Sequence, residues 1–115
     1  MLTIYALMFA LALAPVSVTP ANQELLSWQG GCSGKMRSYA PGHPDNRRLV
    51  VIVSDETGAS ITESEIDLSS TPQRGQSIER TFVLNEGQVV VITAWIYGPK
   101  TDQVRGVAVG RAVCH

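Results

Sequence analysis

Between Val89 and Tyr97 the chain runs for nine uncharged residues in a period of two. Val89, Val91, Thr93, Trp95 and Tyr97 fall on one side, and Val90, Ile92, Ala94 and Ile96 on the other. Alternation of this kind, built from β-branched and aromatic residues, specifies a strand, and apolar side chains on both faces place it at the centre of a core. The face bearing Trp95 and Tyr97 is expected to point inward, because large aromatic rings have the most apolar area to bury. Everything else in the chain must be arranged around this strand.

Other segments have the same character. Leu49 to Val53 is a β-branched run, apolar on both faces, which predicts a strand covered on both sides. Ser60 to Leu68 puts Thr62, Ser64, Ile66 and Leu68 on one face and Ile61, Glu63, Glu65 and Asp67 on the other, the pattern of an edge strand with an acidic outer face. Ile78 to Leu84 reads as a further strand, and Asn85-Glu86-Gly87 after it as a hairpin turn into Val89. Gln103 to Cys114 carries Val104, Gly106, Ala108, Gly110, Ala112 and Cys114 on one face, and Arg105, Val107, Val109, Arg111 and Val113 on the other. Its small face can approach another backbone, or Trp28, closely. Trp28 to Tyr39 is expected to be one strand broken at its glycines.

Between these segments lie turn formers: Ala40 to Asn46 with two prolines, Asp55-Glu56-Thr57-Gly58, Ser69 to Gly75, and Gly98 to Asp102. No helical period and no internal repeat is visible. About seven short strands with regular turns predict an all-β fold, a small antiparallel immunoglobulin-like β-sandwich, with a small barrel as the alternative.

The chain has two cysteines, Cys32 and Cys114. In an exported protein they pair most simply with each other, closing the domain end to end. Redox pairs usually sit close together in sequence, and two cysteines with two histidines lack the spacing of a zinc site. The antibody arrangement, a buried Trp between two central cysteines, is not present here.

Export is expected from the first segment. Met1 to Ala21 contains no charged side chain, and Leu2 to Ala14 is an apolar run shorter than the roughly 20 residues a membrane-crossing helix needs. It reads as a signal peptide, residues 1–21, although it lacks the usual Lys or Arg at its start, and cleavage is expected after Ala21. Residues 22–115 then form a single domain, secreted or periplasmic, with no lipid anchor and no further association with the membrane.

A net charge of −1, with acids and bases interspersed, argues against nucleic acid or an anionic membrane as partner. Arg47 and Arg48 are the sole basic doublet, and neighbours in a strand point to opposite faces. His43, followed closely by Asp45, is the one internal candidate for a general base, and its setting between Gly42 and Pro44 reads as an exposed turn. The acids around Asp55 and along Glu63, Glu65 and Asp67 match no calcium loop. No nucleophile motif, phosphate-cradling loop, metal-ligand set or cofactor motif is present, so the domain is expected to be non-catalytic. If Tyr97 lies on an exposed face with Arg105 and Arg111, the three form a mixed aromatic and basic surface of the kind enriched at interfaces.

In its leading segment, size, seven-strand layout and terminal cysteines, the chain resembles the small periplasmic immunoglobulin-like inhibitors of curli assembly. The resemblance implies a chaperone-like activity, a transient contact with amyloid subunits that delays nucleation. The sequence itself leads to an exported binding module for another protein. A curli-type inhibitor is one form of it and a secreted enzyme inhibitor another, while a small hydrolase using His43 and a self-associating structural component are the rivals.

Overall fold

The computed structural model describes residues 25–100 and 103–115. The proposed signal segment and the cleavage after Ala21 lie outside these residues. Seven strands account for most of the chain: β1 Leu26–Gly30, β2 Ser33–Ala40, β3 Arg48–Asp55, β4 Ser60–Asp67, β5 Gln76–Val83, β6 Val89–Tyr97 and β7 Val104–Val113. They form two antiparallel sheets, β1-β2-β5 and β4-β3-β6-β7. The all-β sandwich expected from the alternation is the observed fold. Its fourth strand sits beside β3, not beside β5 as in the constant-type immunoglobulin arrangement.

The core lies between the sheets. Leu26, Met36, Ala40 and Ile78 face inward from the three-stranded sheet, and Leu49, Val51, Val53, Val90, Ile92, Ala94, Ile96, Ala108 and Ala112 from the other. Leu25, Leu68 and Leu84, next to strand ends, are buried with them. Each fully buried Leu, Ile or Val contributes roughly 1.5–3 kcal/mol relative to exposure, so this layer is the main source of stability.

Three sequence expectations change. Trp28 to Tyr39 is two strands, not one. Gly30, at φ 98°, takes a left-handed conformation, and the chain reverses through Gly31 and Cys32 so that Trp28 pairs with Met36. The Trp28 ring then lies over Gly34, where any Cβ would meet it at 2.3 Å, and stacks on Phe82 at 5.9 Å between ring centroids.

The second change concerns Asn85-Glu86-Gly87, which is not a hairpin turn. β5 and β6 belong to different sheets, and the turn carries the chain across the sandwich. Gly87, at φ 82°, supplies the sharp bend, and its N–H donates to the carbonyl of Cys114 at 2.7 Å. The local signal for a turn was sound, but a turn does not say whether its strands stay in one sheet.

The third change is the orientation of β6. Its aliphatic side, Val90 to Ile96, faces the core, and Trp95 and Tyr97 lie on the outside, half-buried. The small inward face of β7, Gly106 to Ala112, is matched to this aliphatic side, with Ala94 directly opposite Ala108. By the same parity Val50 and Ile52 of β3 are half-buried on the outer face, with no second layer over them among the described residues.

Cys32 and Cys114 form the expected disulfide, with their Cα atoms 4.8 Å apart. It joins the β1–β2 turn to the end of β7 and so ties one sheet to the other. In the chain-entropy model, closing a loop of 82 residues stabilises the fold by at most about 4–5 kcal/mol.

Candidate functional site

The two outer faces of the sandwich differ in kind. On the three-stranded sheet, Lys35 and Arg37 both approach Glu79 at 3.4 Å, and the Arg37 guanidinium lies 5.0 Å from the centre of the Tyr39 ring. Charges there are paired with one another, and Val83 is an isolated exposed apolar residue.

The outer face of the four-stranded sheet is apolar at its centre, and the register places its side chains in rows. One row runs Glu65, Val50, Trp95, Val107, and the next Glu63, Ile52, Thr93, Val109. Val107 and Val109 are 39% and 49% exposed. Four strands make the face about 19 Å wide. Its margins are charged: Glu63, Glu65 and Asp67 line the β4 edge, and Arg111 stands on β7 opposite Val91.

At one end a third row runs Asp67, Arg48, Tyr97. The Arg48 guanidinium lies 4.5 Å from the Tyr97 ring centre and 3.6 Å from the Glu65 carboxylate. Both charged partners are well exposed, so the ion pair holds Arg48 in place more than it stabilises the fold. Together with Asp67, Pro99 and Lys100 these residues line an open depression of about 420 Å³.

Of the residues singled out for contact, Tyr97, Arg105 and Arg111 do not gather into one patch. Arg105 falls where the β6–β7 register shifts, and its guanidinium turns to the loop before β3. There its Nε donates to Asn46 Oδ1 at 2.9 Å, and Asp45 lies 3.9 Å away. Arg111 is six residues along β7, about 20 Å distant. The cation over Tyr97 is Arg48, brought there by pairing between β3 and β6. The Arg47-Arg48 doublet was visible in the sequence, but only the register reveals which aromatic residue it meets. Arg47, just before β3, donates from Nε to the carbonyl of Pro44 at 3.0 Å and lines the same depression as Arg48.

His43 is a turn residue. Its Nδ1 accepts the backbone N–H of Asp45 at 3.0 Å, and its carbonyl accepts that of Asn46. The Asp45 carboxylate is directed to Arg105, not to the imidazole. Asp55 Oδ1 accepts from the hydroxyl and N–H of Thr57 and the N–H of Ala59, which closes the β3–β4 turn. Asp67 Oδ1 accepts from the hydroxyl and N–H of Ser69. These bonds stabilise the ionised forms, the Thr57 and Ser69 hydroxyls foremost, and hold both carboxyls below the ordinary aspartate value of 3.8. Among the described residues no three His, Cys, Asp or Glu side chains are grouped so as to hold a metal ion.

Neither protein-family models nor curated proteins match this chain. The geometry is therefore the basis for a functional reading. The apolar centre of the face has one signal in the sequence that locates it. Cys114 has the same parity as Gly106, Ala108, Gly110 and Ala112, and a bridged cysteine at the end of a strand assigns that side to the interior. Val107 and Val109 must then face out.

Proposed function

We propose that this chain is an exported, non-catalytic protein-binding module that engages its partner through the outer face of the four-stranded sheet. The observation that supports it most is the row structure of that face. Val50, Ile52, Thr93, Trp95, Val107 and Val109 form a continuous apolar centre on the sheet, with acids along one margin. A contiguous exposed apolar patch rimmed by polar groups is the usual mark of an interaction site. The partner that fits presents an apolar surface with Lys or Arg side chains placed to meet Glu63, Glu65 and Asp67.

Paired affinity capture tests this, using the wild-type protein and a Thr93→Lys variant that puts a charge at the centre of the face. A specific partner is retained by the wild type and lost from the variant, while both show the same unfolding transition. A partner retained equally by both overturns the assignment of the face.

The resemblance in layout to curli inhibitors gives the reading a more specific form, in which the partner is an aggregating amyloid subunit. Substoichiometric protein then lengthens the lag phase of subunit fibrillation followed by dye fluorescence, and Thr93→Lys does not. An unchanged lag with wild-type protein rejects this form and leaves the general one standing.

A further inference from the structure

A two-sheet sandwich has four edge strands, and proteins ordinarily blunt such edges against pairing with other chains. Three of the four here are blunted. β4 carries Glu63, Glu65 and Asp67 along its exposed side, and its pairing with β3 shifts register at Val53 and Ser54. β1 has five residues and ends at Gly30. β5 points a charge inward: Arg80 lies opposite the buried Met36 and reaches across to Ser64 of β4, its Nη2 donating to Oγ at 2.9 Å.

β7 is guarded only toward its ends, where its pairing with β6 shifts register at Ile96 and Tyr97. It is the longest strand, ten residues from Val104 to Val113, with no proline, no lysine and no inward charge. Its two arginines stand near its ends and leave Gly106 to Gly110 uncharged. Among the described residues no strand pairs with its outer side.

The direction of its backbone groups follows from two hydrogen bonds. The Cys114 N–H donates to the carbonyl of Gln88, and the Tyr97 carbonyl accepts from Arg47, on the β3 side. Beyond the register shift the ladder is regular. By alternation the even-numbered residues of β7 bond to β6, and the N–H and C=O groups of Val107, Val109 and Arg111 point to the open edge.

We infer that this edge pairs with β7 of a second copy of the chain, antiparallel about a two-fold axis at Val109. Residues directly opposite in antiparallel strands share a face, which restricts the register to even shifts. Centring the pair on Ala108 brings Arg111 level with Arg105 of the other copy, twice, which crowds like charges even with the Arg105 guanidinium turned toward Asn46 and Asp45. Centring it on Val109 removes both clashes: Val109 meets Val109, Val107 meets Arg111, and Arg105 meets Val113. The inward positions then bring Gly106 opposite Ala112 and Ala108 opposite Gly110, small enough for close approach. The result is an eight-stranded sheet whose outer face continues the apolar rows from one copy into the next. A patch that is self-complementary about a two-fold axis closes as a dimer without growing into a fibre.

Sedimentation equilibrium on the purified protein tests the dimer. The wild type is expected to dimerise with a micromolar dissociation constant. Val109→Lys places two like charges on the axis, and Val109→Pro removes an N–H that bonds nothing within the monomer. Both are expected to be monomers with the wild-type circular dichroism. Val107→Glu puts a carboxylate opposite Arg111 of the other copy in two places and is expected to tighten the dimer about fivefold. A wild type that stays monomeric at high micromolar concentration overturns the inference, as does a dimer that survives both Val109 substitutions. A dimer weakened by Val107→Glu overturns the register.

Discussion

At the scale of single residues, Ser38 is the clearest departure from a well-satisfied core. It is fully buried on β2, and its hydroxyl has no hydrogen-bond partner among the described residues. A buried hydroxyl without a partner costs roughly 1–3 kcal/mol in desolvation, so Ser38→Ala is expected to raise stability by about 1 kcal/mol. Urea denaturation of the two proteins measures it, and a loss of stability would show that the hydroxyl is bonded in solution. Asp55 and Asp67 act in the opposite sense. Their carboxyls are held below 3.8 in the folded chain by the Thr57 and Ser69 hydroxyls, so the unfolded chain takes up protons first as pH falls. The stability they contribute is complete well above pH 3.8 and is lost as pH drops through the depressed values. Asp55→Asn and Asp67→Asn together are expected to flatten the fall in stability between pH 5 and pH 3. The turn at Asp55 to Gly58 was legible as a cluster of turn formers, but the closure of Asp67 onto Ser69 and the lowering of both carboxyls required the structure.

At the scale of elements, the strands other than β1 and β2 were legible and their partners were not. The period of two in Val89 to Tyr97 is a local property, and that strand lies where the alternation put it. Which face of it turns inward is not local. Both sides are apolar, and in the fold the aliphatic side takes the core, with Ala94 directly opposite Ala108 of β7. The hairpin of β1 and β2 depends on a similar fit between Trp28 and Gly34. Gly34→Ala forces the ring to move and is expected to cost about 1–3 kcal/mol, read from chemical denaturation. Gly58→Ala, where a Cβ meets nothing, loses only the ease of a positive φ and is expected to cost less. The same split applies to the candidate face. Val107 and Val109 could be assigned outward from the parity of Cys114, but the meeting of Arg48 with Tyr97 required the β3–β6 register.

At the scale of the molecule, the disulfide and the outer face divide stability from recognition. The bridge between Cys32 and Cys114 spans the two sheets, and replacing both cysteines by serine is expected to lower stability by up to about 4 kcal/mol, measured as a shift in the denaturation midpoint. The apolar face needs no such change, since its side chains already stand half in water. Oxidative footprinting tests the central claim most directly, comparing the purified protein with the protein in the cellular fraction where it accumulates. The account predicts that labelling of Trp95 and Tyr97 falls in the cellular fraction while that of Tyr39, on the opposite outer face, is unchanged. Equal labelling of Trp95 and Tyr97 in both samples, or protection of Tyr39 instead, would contradict it.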